Sequence, residues 1–169
     1  MLAAEVLNVS GLLLGLGLAR NATSLIQVSW DGGGEVLGFL GFLSEYTAGR
    51  FSQSVSERIV LASNELLDNA VRYRSLTRDV RYQLALDTSE LIVAVANATV
   101  PSRIEMLGAQ LRKLERSPRD AYAAEFERSV QSGGARSMLG LARVRHEGGM
   151  KLDIAVEGDH VTVFARCKR

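Results

Sequence analysis

The sequence predicts an α+β two-layer sandwich, a mostly antiparallel mixed sheet with helices on one face. Three observations predict it. Arg78 to Asp87 alternates in hydropathy and turns at Thr88-Ser89 into the apolar run Leu91 to Ala96, which reads as a hairpin. A second alternating pair, Met150 to Val156 and His160 to Cys167, brackets Glu157-Gly158-Asp159 near the end of the chain. Between and before these hairpins the apolar residues recur at helical spacing.

The elements follow in order. Ser24 to Trp30 is a short strand, ended by the turn Asp31-Gly-Gly-Gly34. Glu35 to Tyr46 places Val36, Leu37, Phe39, Leu40 and Leu43 on a helical period, with Gly38 and Gly41 each weakening it by about 1 kcal/mol relative to Ala. Ser54-Val-Ser-Glu57 fits a capping box, a hydroxyl accepting a backbone N–H and a Glu three residues on. The helix it opens carries Val55, Ile59, Ala62, Leu66, Ala70 and Tyr73 on one period. In the first hairpin strand Val80, Tyr82, Leu84 and Leu86 share one face, and Arg81, Gln83 and Ala85 the other.

Ser102 to Arg116 and Asp120 to Val130 read as two amphipathic helices broken at Ser117-Pro118, their charges forming solvated faces. Ser132-Gly-Gly134 is a loop, Ser137 to His146 a further helix, and Gly148-Gly149 its stop. The aromatics Phe39, Tyr46 and Phe51, and Trp30 with them, are expected in the core rather than in a nucleic-acid stacking platform.

Length and charge narrow the function. At 169 residues the chain fits one domain, and 47% hydrophobic with 23% charged residues excludes a disordered chain. The net charge of +1 gives no electrostatic case for nucleic acid or an anionic membrane as partner. Basic residues are nearly all Arg, Lys113, Lys151 and Lys168 excepted, a bias that coding preference or a phosphate-reading surface would produce. Cys167 is alone, so no intrachain disulfide forms, no Cys-based zinc site exists and a reducing cytoplasm is the expected location. Val6 to Ala19 is apolar but too short to span a bilayer and, with Glu5 before it, unlike a signal peptide. It reads as a buried edge of the domain or a partner-binding segment. Gly15-x-Gly17 is no dinucleotide fingerprint, because Arg20 takes the third glycine position. His146 and His160, the only histidines, exclude a multi-His metal site and are expected at a helix end and a turn.

One stretch carries chemistry: Asn64-Glu65-Leu66-Leu67-Asp68-Asn69-Ala70-Val71-Arg72-Tyr73. On a helix Glu65 and Asn69 lie four apart on one face with Arg72 three further on, while Leu66, Ala70 and Tyr73 point to the sheet. A carboxylate and an amide oxygen so stacked suit a hard divalent cation and a water or hydroxyl near a phosphate. The same spacing also fits a surface helix with a polar face.

Glu-Leu-Leu-x-Asn-Ala-x-Arg-Tyr resembles the N-box of the GHKL superfamily, to which gyrase, the histidine kinases and MutL belong. The resemblance implies the Bergerat, histidine-kinase-like ATPase fold, with ATP and Mg²⁺ as cofactors. It implies that Glu65 acts as base or orients the acceptor, Asn69 ligates the metal and Arg72 contacts phosphate. Thr162 in the last strand would sit beneath adenine. A narrower match spans nearly the whole chain: the strand with Trp30, the Glu65–Asn69 helix, Ile92-Val-Ala-Val-Ala-Asn97 and Ser117-Pro-Arg-Asp-Ala-Tyr122 resemble the SiaB-like bacterial regulators, kin of the anti-sigma-factor kinases. This implies one domain over 1–169, with an N-terminal extension to about residue 50 and a two-helix insert over about 102–131 in the lid region. It implies a Ser/Thr protein kinase acting on a small anti-sigma-factor-antagonist-like partner, with a homodimer among the expected assemblies.

Two boxes depart from the superfamily. Where Asp-x-Gly-x-Gly would supply an adenine-binding Asp, the chain reads Asn97-Ala-Thr-Val-Pro101. An amide oxygen still accepts that hydrogen bond, more weakly than an ionised carboxylate. The lid box Gly-x-Gly-Leu-Gly-Leu, aligned on Leu139-Gly140-Leu141, has Arg136 and Met138 for its first two glycines, with Gly133 and Gly134 upstream. Gly133, Gly134, Arg136 and Gly140 are thus the expected triphosphate cover, with Arg136 a charged donor or an occupant of the site itself. These departures motivate the alternative: a binding module of the same fold, its nucleotide site degenerate, that sequesters a protein partner.

Overall fold

The computed structural model describes residues 22–30, 36–75, 79–131 and 139–169. Among the described residues ten elements run β1 (Thr23–Trp30), α1 (Val36–Ala48), α2 (Gln53–Tyr73), β2 (Val80–Leu86), β3 (Glu90–Ala98), α3 (Pro101–Arg116), α4 (Pro118–Gln131), α5 (Leu139–His146), β4 (Lys151–Glu157) and β5 (His160–Lys168). The strands form one sheet in the order β1-β2-β3-β5-β4. The two-layer α+β sandwich is therefore found. The mixed character expected of the sheet is not: among the described residues every pairing is antiparallel.

Side-chain alternation builds the layers. Leu91, Val93 and Val95 of β3 join Val80, Tyr82 and Leu84 of β2 beneath the helices, with Ile59, Leu66, Leu67 and Ala70 of α2 packed on them. Each fully buried aliphatic side chain of this set stabilises the fold by roughly 1.5–3 kcal/mol. Ala85, Ile92, Ala94, Ala96 and Phe164 face the opposite way and form a second, smaller buried cluster. Both faces of β3 are buried, and as the central strand it is paired along both edges.

Tyr82, fully buried at the centre of the core, is braced by aromatic and polar contacts. Its ring meets Phe39 of α1 edge-on at 4.9 Å, and Phe39 meets Trp30 edge-on at 5.2 Å. Ser63 donates to the carbonyl of Ile59 at 2.7 Å, so the Tyr82 hydroxyl, 2.9 Å away, donates to Ser63. Burial pushes the Tyr82 phenol well above its usual value, so it stays a neutral donor.

Two further local expectations are corrected. The capping box at Ser54–Glu57 does not form. Ser52, extended at φ −63° and ψ 155°, is the N-cap, and the Ser56 N–H already bonds to its carbonyl at 2.9 Å. Ser54 is therefore inside the helix, and Glu57 accepts instead from the Gln53 amide at 2.9 Å. The charges of α3 and α4 are not all solvated either. Glu125 is only 1% exposed, held by Gln110 at 3.1 Å and by Arg128 at 2.7 Å.

Pro118 breaks α3 from α4 and opens the latter at a position where its missing N–H costs nothing. After α5 the chain reverses at Gly149, whose φ of +60° suits glycine. Cys167 is a buried free thiol. His146 ends α5 and His160 starts β5, as expected. No helix among the described residues is long and apolar enough to cross a membrane. The expectations for the N-terminal segment, the turn at 31–34 and Gly133, Gly134, Arg136 and Met138 lie outside the described residues.

Candidate functional site

The helices do not cover the sheet evenly. Between α2 and α3, above β3 and β5, they leave a cleft of about 830 Å³. Its floor is Val95, Asn97 and Thr99 with Val161 and Val163. One wall is Leu66, Asn69, Ala70, Arg72 and Tyr73 of α2, and the other Ser102, Arg103, Met106 and Leu107 of α3, with Leu141 of α5 also in the lining. An apolar floor edged by a few convergent polar groups is the usual character of a small-molecule site.

Of the residues singled out from the sequence, the fold brings Asn69, Arg72 and Asn97 to this cleft. The Asn97 amide nitrogen donates to the carbonyl of Ala98 at 3.2 Å, which commits that end of the amide to the backbone. The cleft edge is pinned by backbone. Thr99 donates its hydroxyl to the Tyr73 carbonyl at 2.6 Å, and the Ser75 N–H donates to the Ala98 carbonyl at 2.8 Å. Arg72 is bonded to Asp68, one helical turn earlier, at 2.9 Å.

Thr162 is not at the cleft. It pairs with Ala96, whose side chain belongs to the opposite cluster, while its neighbours Val161 and Val163 line the floor. A strand alternates with period two, so a position one residue off lies on the other side of the sheet. Tyr73, expected to point at the sheet, stands in the cleft wall under the guanidinium of Arg103, 4.6 Å from its ring centre. Arg103, expected on a solvated helix face, lines the cleft instead. Its signal was position: it lies in the first turn of α3, which begins just after β3 ends, at the cleft.

Glu65 is turned away from the cleft lining. Arg143 of α5 donates to its Oε1 at 2.5 Å and to Glu147 Oε2 at 3.2 Å, and the Tyr122 hydroxyl donates to Glu147 Oε1 at 2.8 Å. A chain of polar contacts thus joins α2, α5 and α4. Gly140 makes the approach feasible: a Cβ there would lie 3.2 Å from the Glu65 carboxyl carbon. The role of Gly140 seen here is packing against Glu65, on the α5 side of that helix.

Burial raises the Glu65 pKa above its ordinary 4.5; Arg143 opposes this and the nearby charges of Asp68 and Glu147 reinforce it. Below about pH 4.5 the group is protonated in folded and unfolded chains alike. As pH rises the unfolded chain ionises first, so this residue's contribution is lost as pH passes through the folded value. Glu65→Gln removes that loss. In urea denaturation the variant should gain on the wild type as pH rises from 4.5 to 7. A difference that stays constant, or moves the other way, contradicts the burial effect.

Among the described residues no group of three or more His, Cys, Asp or Glu side chains is placed to hold a metal ion.

No family model matches the sequence, and no curated protein matches it. Among solved structures the chain is similar to a chain in the crystal structure of the SiaB–SiaC complex from Pseudomonas aeruginosa. The two share 14% identity at a TM-score of 0.65, over 98% of this chain and 100% of that one. The likeness covers the sandwich from end to end and shows a common fold.

Proposed function

We propose that this fold serves a bacterial signalling regulator of the GHKL type: an ATP- and Mg²⁺-dependent Ser/Thr protein kinase. Its substrate would be a small protein resembling the anti-sigma-factor antagonists. The observation that supports it best is the cleft of about 830 Å³, which gathers Asn69, Arg72 and Asn97 around an apolar floor. The volume suits a nucleotide. Val95, Val161 and Val163 would lie against a base, and the Asn97 oxygen would accept from an exocyclic amino group.

The donor set suits Mg²⁺ held jointly by protein and phosphate. This ion keeps few protein ligands and takes the rest from phosphate and water, and the Asn69 oxygen would be the ligand that α2 supplies. When bound it would neutralise charge on the transferring phosphoryl group. Glu65 would take the proton of the acceptor hydroxyl once Arg143 releases it, its raised pKa bringing it closer to a base's working range.

The test is direct. The protein is incubated with ATP, Mg²⁺ and the antagonist-like protein of the same genome, and phosphate on Ser or Thr is read by mass spectrometry. Incorporation is expected. A stable complex without incorporation supports a second reading, a module that regulates by sequestering its partner. The Glu65–Arg143 pair and the neutral Asn97 favour that reading. Under it, Glu65→Ala and Asn69→Ala leave partner affinity unchanged, and a large loss in both counts against it.

A further inference from the structure

We propose that Arg103 is an anion-binding residue of the cleft, meeting the phosphate groups of its ligand from α3. This rests on the reading of the cleft as a nucleotide site and names a contact outside the Glu65–Asn69–Arg72 helix.

Among the described residues two cations line the cleft, Arg72 and Arg103, and their situations differ. Arg72 bonds to Asp68 at 2.9 Å, so part of its donor capacity and charge is already matched. Arg103 pairs with no carboxylate among the described residues. Its guanidinium lies over the Tyr73 ring at 4.6 Å, reaching from α3 to α2 across the cleft. Stacking uses the flat face of a guanidinium and leaves its in-plane N–H groups free to donate. A planar fork held this way matches a phosphate in two hydrogen bonds, which a flexible ammonium does not. Ser102, next to it in the wall, offers a hydroxyl to the same region. Arg103 thus brings an unmatched, oriented charge to a cleft whose floor holds none.

The experiment is calorimetric titration of the whole chain, as wild type, Arg103→Gln, Arg103→Lys and Arg72→Gln, with ATP, adenosine and inorganic tripolyphosphate. Arg103→Gln should weaken ATP and tripolyphosphate by about tenfold or more, the scale of a hydrogen bond to a charged group, with adenosine unchanged. Arg103→Lys should recover only part of the loss, and Arg72→Gln should cost less than Arg103→Gln. ATP binding that is the same with and without Arg103 overturns the proposal and leaves the nucleotide reading standing. Equal losses for ATP and adenosine also overturn it, because they mark Arg103 as a wall residue. Arg103-dependent tripolyphosphate binding without ATP binding keeps the proposal and removes the nucleotide reading. Binding of none of the three ligands removes both.

Discussion

Glu65→Ala is expected to reduce phosphoryl transfer by roughly 10²- to 10⁴-fold, the usual contribution of a positioned general base. Nucleotide affinity should stay within about threefold of wild type, since that change is under 1 kcal/mol. The separation follows from the geometry. Asn69, Arg72 and Asn97 line the cleft, whereas Glu65 lies one turn back against Gly140 and Arg143. The variant should also fold. Removing the carboxylate leaves Arg143 bonded to Glu147 at 3.2 Å and 39% exposed, so no isolated charge is buried. Transfer that continues undiminished would exclude Glu65 as the base. Loss of nucleotide binding in step with transfer would mean that it shapes the cleft instead.

The second large effect is on stability. Tyr82→Ala should cost about 3–5 kcal/mol, the range for truncating a large buried aromatic. Tyr82 is fully buried, touches Phe39 edge-on at 4.9 Å and bonds to Ser63 at 2.9 Å. Its removal therefore empties the junction of α1, α2 and β2. For a domain of this size the midpoint of thermal unfolding should fall by roughly 6–20 °C. Tyr82→Phe, which keeps the ring, should cost only about 1 kcal/mol, because Ser63 retains its bond to Ile59. Calorimetry on both variants checks this, and equal costs for the two would contradict ring packing as the dominant contribution.

The sheet was legible because each strand obeys one short-range rule. Val80, Tyr82 and Leu84 alternate with Arg81, Gln83 and Ala85, and that parity alone assigns both faces of β2. The helices were legible by period, and Ser117-Pro118 marks the α3–α4 break without tertiary knowledge. Parity also shows where sequence reading is fragile. Thr162 differs by a single position from Val161 and Val163, yet lies across the sheet from the cleft.

The site was half legible for a related reason. Asn69 and Arg72 share one helix, so local spacing brings them together. The partner of Glu65 is 78 residues away on α5, and that of Tyr73 comes from α3, contacts no local pattern encodes. Arg143 changes the meaning of Glu65, which is held in an ion pair rather than open to the cleft. Arg103 changes the meaning of Tyr73, which carries a cation instead of facing the sheet.

The proposed nucleotide site requires that the cleft bind ATP in a Mg²⁺-dependent way. Isothermal titration of the protein with ATP and Mg²⁺, with Asn69→Ala as control, tests it most directly. Micromolar, Mg²⁺-dependent binding that the control loses is the expected result. Absence of heat, with no competition at millimolar ATP, would contradict it and leave the fold a protein-binding module.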